Sequence, residues 1–206
     1  CLDALLNNPN AVLCFTSTIL LRREGAIFGD YKDEDLDTVG LEKLDRLKKV
    51  IKGVKRNCAF YGLYRRDILE RVSFPNRYGG DHIFLAELSL YGEFIQLPEP
   101  CFYSRLDGAG SSRSGILKSQ QIHSLFVRCF PNFSFSLDFL HAVTGWQMLN
   151  RGERWQAVSF VLQRFLSWTY ISRMLLDIVL LGRDVIFEGR RWMQERLSSA
   201  FQRKNE

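Results

Sequence analysis

The spacing of apolar residues along the chain changes between the patterns typical of strands and of helices. Residues 11–21 form a nearly continuous apolar run rich in Val, Leu, Phe, Thr and Ile, which predicts a buried strand. Residues 27–28 are expected to pair back against this strand after a turn at 22–25. Residues 2–7 predict a short helix that ends at 7–10, because the Asn and Pro residues there favour turns.

An amphipathic helix is predicted at residues 41–51, where Leu41, Leu44 and Leu47 recur at helical spacing. Its opposite face is basic, and we interpret it as a solvated surface, with attraction to phosphate or to a membrane as the alternative. That face carries Lys43, Arg46, Lys48, Lys49 and Lys52. The sequence then predicts a strand at 58–64, a short helix at 66–72, a helix at 81–91, and short strands at 94–97 and 101–106.

The character of the chain changes at residues 108–114, whose Gly and Ser content predicts a flexible linker. We therefore divide the chain into residues 1–114 and 115–206. The second part is predicted to be helical, over residues 117–129, 137–150, 154–181 and 184–202.

The most apolar of these predicted helices covers residues 155–181 but contains Arg164, Arg173 and Asp177. A charged residue near the middle of a bilayer costs about 2.5–3.5 kcal/mol on insertion scales, which argues against a transmembrane span. We expect the helix to pack against the first part of the chain, with contact at a membrane surface as the alternative.

Composition sets broad limits on function. Hydrophobic residues make up 46% and charged residues 25%, as in ordinary globular proteins. The net charge of +5 fits attraction to phosphate groups or an anionic membrane surface, and the sequence contains no motif for nucleic-acid recognition. The five cysteines are odd in number and lack metal-ligand spacing, so we expect buried free thiols in a reducing compartment. The acidic residues between 30 and 37 are interpreted as a solvated loop.

Asp81 has the clearest candidate chemistry. It follows Gly79 and Gly80, precedes His82 and introduces the apolar run at 83–90. Taken alone, an Asp in this place predicts a helix N-cap, because its carboxylate accepts hydrogen bonds from free backbone N–H groups at the positive end of the helix dipole.

The segments around Asp81 follow a recognisable order. Residues 61–67 read Tyr-Gly-Leu-Tyr-Arg-Arg-Asp, residues 79–82 read Gly-Gly-Asp-His, residues 97–100 read Leu-Pro-Glu-Pro, and residues 102–105 read Phe-Tyr-Ser-Arg. This order resembles the second half of a family 2 glycosyltransferase over roughly residues 1–114. The resemblance implies an α/β fold, namely part of a glycosyltransferase A-type mixed sheet with flanking helices, followed by an α-helical C-terminal extension.

The resemblance implies that Asp81 is the catalytic base of an inverting enzyme. An acceptor hydroxyl would attack the anomeric carbon of a nucleotide-sugar in line, and a carboxylate within hydrogen-bond reach would take its proton. Gly79 and Gly80 would leave room for the acceptor to approach the backbone. His82 would tune Asp81 or contact the acceptor, with a solvated surface histidine as the alternative.

Further contacts to donor and acceptor are implied by the resemblance. Gly62, Arg65 and Arg66 would form a turn beneath the two sugars, where a guanidinium can hold phosphate or carboxylate. The alternative is that Arg66 starts a helix and Arg65 is paired at the surface. Arg105 is a weaker candidate for a diphosphate contact. Asp107 stands where relatives carry a His, and is either a weak metal ligand or a turn residue.

The resemblance also implies a divalent metal, Mg²⁺ or Mn²⁺, held mainly by a donor-binding half that normally precedes this point. Because the chain starts at Cys1, apparently within a helix, we expect a fragment that is inactive alone. The parent enzyme would be cytoplasmic, with the membrane surface as an alternative, and would move a sugar from a nucleotide-sugar donor to a glycan, lipid or small acceptor.

A rival interpretation assigns no catalysis to the chain. On this view it is an interaction or membrane-docking module that kept the same scaffold, and Asp107 in place of His favours that reading. Peripheral membrane contact would then run through the C-terminal helices.

Overall fold

The computed structural model describes residues 1–22, 25–31, 35–106 and 124–180. Asp107, the predicted linker at 108–114, the predicted boundary after residue 114 and the predicted helix at 184–202 lie outside the described residues. The elements are, in chain order, α1 Leu2–Asn7, β1 Ala11–Leu21, β2 Ile27–Tyr31, α2 Lys43–Gly53, a 3-10 helix Cys58–Tyr61, β3 Leu63–Tyr64, α3 Arg66–Leu69, α4 Gly80–Leu88, β4 Glu93–Arg105, α5 Leu125–Cys129, α6 Pro131–Gly145, α7 Arg151–Phe165 and α8, residues 168–180.

The strands of the described residues form one four-stranded mixed sheet with β1 at its centre. β4 runs parallel to β1 along its whole length and occupies one edge. β2 and β3 share the other edge and run antiparallel, with Leu20 opposite Gly29 and Leu13 opposite Tyr64. A parallel pair needs a long crossover, which α2, α3 and α4 supply. The predicted α/β class with a mixed sheet and flanking helices is confirmed.

Strand β1 has the bounds that its apolar run predicts, and it is buried on both faces. On one face, Cys14 belongs to a small cluster with Leu5 of α1. On the other, Leu13 belongs to a larger cluster with Phe84 of α4 and Val50 of α2. Apart from Thr16, Ser17 and Thr18, the strand is apolar because both of its faces pack against other elements.

The C-terminal helices pack against the helices that cover the sheet. One core cluster contains Ile51 of α2 and Ile83 of α4 together with Phe139 of α6 and Val161 and Phe165 of α7. This confirms the predicted packing of the apolar C-terminal segment against the first part of the chain. Among the described residues, none of the helices is both long and apolar enough to cross a bilayer.

Three predicted elements differ from the structure because of local backbone geometry. Residues 58–64 form a 3-10 helix and a two-residue strand, since Asn57 at φ 57° turns the chain before it can extend. The predicted helix at 154–181 is two helices, with a break between Phe165 and residue 168. α6 starts at Pro131 rather than at 137, because proline suits the first helical position.

The predicted pair of short strands at 94–97 and 101–106 is a single strand, β4, of 13 residues. Its outer edge is covered at the start by the segment before α2, where the Thr38 hydroxyl accepts from the Phe94 N–H at 2.7 Å. The Asp37 carboxylate accepts from the Gln96 N–H at 3.0 Å. The interpretation of residues 30–37 as a solvated loop is therefore wrong for Asp37, which closes a sheet edge.

None of the five cysteines forms a disulfide, as predicted. Cys14 and Cys58 are buried and Cys129 is half-buried, whereas Cys1 and Cys101 are exposed. The expectation of burial is thus wrong for the last two. Burial raises the pKa of the Cys14 thiol, which keeps it protonated and unreactive.

Candidate functional site

Asp81 lies inside the first turn of α4, one residue after the helix begins at Gly80. The N-cap is Gly79, whose φ of 71° lies in the left-handed region that glycine adopts without strain. The prediction that Asp81 is the N-cap is therefore wrong by two positions. The carboxylate nevertheless stays at the positive end of the helix dipole.

Two hydrogen bonds hold the half-buried Asp81 carboxylate. The Asn57 side-chain amide donates to Oδ2, and the His82 backbone N–H donates to Oδ1 at 3.0 Å. Asn57 precedes the 3-10 helix and is the one non-glycine residue with positive φ in the described part of the chain. A carboxylate offers about four lone-pair sites, so these two bonds orient Asp81 and leave acceptor capacity for a further donor.

The glycines before Asp81 are packed rather than open. A Cβ on Gly79 would fall 2.4 Å from Cδ2 of Phe135 in α6, and one on Gly80 would fall 2.0 Å from the Pro75 carbonyl oxygen. The prediction that these glycines leave room for an acceptor is wrong, because protein atoms fill that space. Both positions require glycine for close packing.

His82 faces the C-terminal helices. Its half-buried ring meets the Phe135 ring edge-on at a centroid distance of 5.6 Å. The two rings line a narrow cleft with Ile51, Phe165 and Tyr170, among others. Neither of the roles predicted for His82, tuning Asp81 or contacting an acceptor, is tested by this packing.

Gly62 and Arg65 hold the edge of the sheet. A Cβ on Gly62 would fall 2.7 Å from the Cys14 carbonyl oxygen, so glycine lets this turn approach β1 closely. The Arg65 guanidinium donates to the backbone carbonyls of Leu5, Asn8 and Ala11, and so fastens the end of α1 to the start of β1. These contacts explain both residues structurally, and the predicted sugar contacts stay predictions.

Arg66 and Arg105 are both exposed. Arg66 starts α3, as the alternative interpretation predicts, and forms an ion pair with Glu70 at 2.9 Å. Arg105 is the last residue of β4 and lies opposite Leu21. In the part of the chain that the structure describes, no hydrogen bond or ion pair joins either guanidinium to Asp81.

Two residues that the sequence interpretation missed shape the surroundings of Asp81. Asn57 was detectable in part, since Asn tolerates left-handed geometry and marks turns. Phe135 carries no signal in the sequence, because it lies 54 positions after Asp81 and reaches the site only through the packing of α6 on α4.

A second carboxyl group on α4 lies apart from Asp81. Burial raises the pKa of Glu87, and a hydrogen bond from the Trp146 side chain partly opposes that shift. Glu87 in turn raises the pKa of Tyr91, in addition to the larger effect of burial. Glu87 is tied to Trp146, after the end of α6, and is not part of a carboxylate pair with Asp81.

Within residues 1–22, 25–31, 35–106 and 124–180, no group of three or more His, Cys, Asp or Glu side chains could hold a metal ion. Asp107, the weak candidate, lies outside the described residues.

Comparison with known proteins returned no match to any family model, curated protein or solved structure.

Proposed function

We propose that this chain is the acceptor-side half of an inverting glycosyltransferase that uses a nucleotide-sugar donor, with Asp81 as its catalytic base. The observation that carries the proposal is the way Asp81 is held. An amide from outside the helix and a backbone N–H from within it fix a half-buried carboxylate at the start of α4. A general base must be held in a fixed position so that it stays within hydrogen-bond distance of the hydroxyl whose proton it takes.

The proposed reaction places the acceptor hydroxyl against the free lone pairs of Asp81. A bond forms between the acceptor oxygen and the anomeric carbon while the bond to the nucleoside diphosphate breaks, and the hydroxyl proton passes to the Asp81 carboxylate. The donor would bind to a nucleotide-binding half outside this chain. A divalent cation would be held mainly there too, as the family resemblance implies.

The direction of acceptor approach follows from packing. Phe135 covers the Gly79 side of the first turn of α4, so the acceptor must come from the side of the 3-10 helix. Tyr61 ends that helix, is largely exposed, and stacks on Phe102 with ring centroids 4.9 Å apart. Tyr61 lies about 8 Å along the helix from Asn57 at about 2 Å per residue, and its ring offers an apolar face of the kind that sugars pack against.

The test is a substitution in the full-length parent enzyme. Asp81→Asn keeps the size and shape of the side chain but removes the base, and we expect kcat to fall by at least about 10². Asp67→Asn is the matched control, since Asp67 also lies in the first turn of a helix but is exposed, and it should leave kcat within about twofold. A near-normal rate for Asp81→Asn contradicts the assignment.

The isolated 206-residue chain provides a separate test. We expect it to transfer no sugar from nucleotide-sugars, because half of the proposed donor site lies elsewhere. Measurable transfer by this chain would show that the division into two halves is wrong.

The alternative function is a non-catalytic membrane-docking module on the same scaffold. The observation that favours it is the exposed apolar surface of α7 and α8, where Trp155 and Trp168 are 75% and 78% exposed. Membrane docking by itself would also be compatible with catalysis at Asp81, because that surface and Asp81 are carried by different elements.

A further inference from the structure

An apolar stripe runs along the side of α7 that faces away from the core. Trp155, Leu162 and Leu166 follow one another at spacings of seven and four residues, which places them on one helical face. All three are exposed, Trp155 to 75%. The opposite face carries Ala157, Val161 and Phe165, which are buried against α2, α4 and α6. The helix is therefore apolar on the core side and carries an apolar stripe on the solvent side as well, next to the exposed Gln156, Ser159 and Gln163.

The stripe continues on α8. Trp168, Leu175 and Val179 repeat the same spacing and are exposed, Trp168 to 78%. Leu176 and Ile178 flank them and are exposed too. We call the surface formed by these side chains and the α7 stripe the outer face; its members are Trp155, Leu162, Leu166, Trp168, Leu175, Leu176, Ile178 and Val179. Soluble monomers rarely expose so many large apolar side chains on adjoining helices unless something binds there.

The acidic side chains of α7 and α8 lie on the inner side of the two helices, which faces the core. Both acidic residues are engaged on the inner side: Glu153 pairs with Lys43 at 2.8 Å, and Asp177 is 2% exposed and accepts from Asn132. The exposed charges of residues 151–180 are Arg151 and Arg173. Arg151 lies beside the α7 stripe, whereas Arg173 lies nearer the inner side, where its guanidinium stacks on the Tyr170 ring. The outer face is thus apolar and Trp-containing, with the positive charge of Arg151 beside it, and no carboxylate within residues 151–180 is exposed.

We propose that the outer face docks on an anionic lipid bilayer. Tryptophan side chains prefer the boundary between headgroups and acyl chains, and arginine attracts anionic headgroups. The two helices would lie in the plane of the surface with the outer face immersed, as amphipathic interfacial helices do.

A second copy of the chain fits this surface less well. A symmetric dimer brings the same patch together from both subunits, and within residues 151–180 no exposed carboxylate is present to pair with Arg151. A bilayer that contains acidic lipid supplies the missing negative charge.

The test uses the full chain and vesicles of phosphatidylcholine with or without phosphatidylglycerol. We expect binding to the mixed vesicles, with weaker binding to pure phosphatidylcholine and at high salt. Brominated lipids should quench the fluorescence of the bound chain, and the quenching should fall in Trp155→Ser/Trp168→Ser. Co-sedimentation gives the partition coefficient.

Two matched variants separate the outer face from general surface effects. Leu166→Glu and Leu6→Glu place the same charge on leucines that are 69% and 66% exposed, the second on α1. Leu166→Glu should lower the partition coefficient at least about tenfold, and Leu6→Glu should leave it unchanged. Arg151→Gln should weaken binding to the mixed vesicles about fivefold. Circular dichroism should show all variants folded, since each changed side chain is exposed.

The proposal is overturned if mixed vesicles do not bind the chain, or if the two leucine variants weaken binding equally. It is also overturned if sedimentation shows a dimer that Leu166→Glu disperses, because the outer face would then be a contact between copies. None of these outcomes depends on whether Asp81 is a catalytic base, since no sugar transfer is measured.

Discussion

The ring of Phe135 lies directly over Gly79, so that a Cβ on the glycine would fall 2.4 Å from the phenylalanine Cδ2. This contact joins α6 to the first turn of α4, two residues before Asp81. The C-terminal helices therefore do more than extend the chain. Through Phe135 they cover one side of the first turn of α4, next to Asp81.

Gly79→Ala should destabilise the fold by about 2–4 kcal/mol, the sum of a left-handed backbone and an overpacked contact. Urea unfolding measures the loss. In a Phe135→Ala background the clash disappears and only the backbone cost of about 1–2 kcal/mol should remain. Equal costs of Gly79→Ala in both backgrounds would mean that Phe135 does not restrict this turn.

Asp177 of α8 acts as a cap for another helix. Its carboxylate accepts from the Asn132 backbone N–H at 3.0 Å and from the Asn132 side-chain amide at 2.8 Å, at the start of α6. Asp177→Ala should cost about 2–3 kcal/mol of unfolding free energy, because it leaves the Asn132 donors without this charged acceptor.

The control for that cap is Asp138→Ala on α6. Asp138 pairs with Arg77 at 2.8 Å at a partly exposed position, and its loss should cost under about 1 kcal/mol. Denaturant unfolding measures the loss of unfolding free energy in both variants. Similar losses in the two variants would argue against a special role for Asp177.

Glu87 should make stability depend on pH. Burial raises its pKa above the ordinary value of 4.5, so the folded state holds the proton more tightly than the unfolded state does. The favourable contribution of Glu87 to the free energy of unfolding is therefore complete below the pKa that the group has in the unfolded state. It is lost as the pH rises through the higher pKa of the folded state. Glu87→Gln has no charge to bury, so its unfolding free energy relative to wild type should increase as the pH rises above 4.5.

Urea unfolding across that pH range measures the difference between Glu87→Gln and wild type. Glu70→Gln is the control, because Glu70 is a surface carboxylate with 63% of its side chain exposed. If the difference in unfolding free energy between Glu87→Gln and wild type does not change with pH, burial of Glu87 does not control the pH dependence. The same conclusion follows if the difference for Glu70→Gln increases equally.

Local pattern was enough to predict several elements. The largely apolar run at 11–21 specified β1 at both ends, because a strand that packs on both faces is apolar at most of its positions. The spacing of Leu44 and Leu47 specified α2 to within two residues at each end. Such elements can be predicted from the sequence because the hydrophobic pattern that specifies them involves only a residue and its near neighbours.

Only part of the candidate site could be predicted from the sequence. Asp81 stood out because a carboxylate at a glycine turn before an apolar helix is a local feature. Its partner Asn57 lies 24 residues away, and the residue that covers Gly79 lies farther still, so neither contact leaves a local pattern. The glycines themselves were misinterpreted for this reason, since a glycine that admits a ligand and one that admits a neighbouring helix have the same sequence.

By itself, the sequence determined which segments are apolar, where turns begin, and that a carboxylate stands at the start of a buried helix. The tertiary structure alone decided that Asn57 holds that carboxylate, that Phe135 closes one side of it, and that Arg65 fastens α1 to β1. It also decided which side of α7 faces the core, since both sides are apolar and helical periodicity could not choose between them. The physical reason is that periodicity reports on a residue's own element, whereas contacts between distant elements depend on how those elements pack.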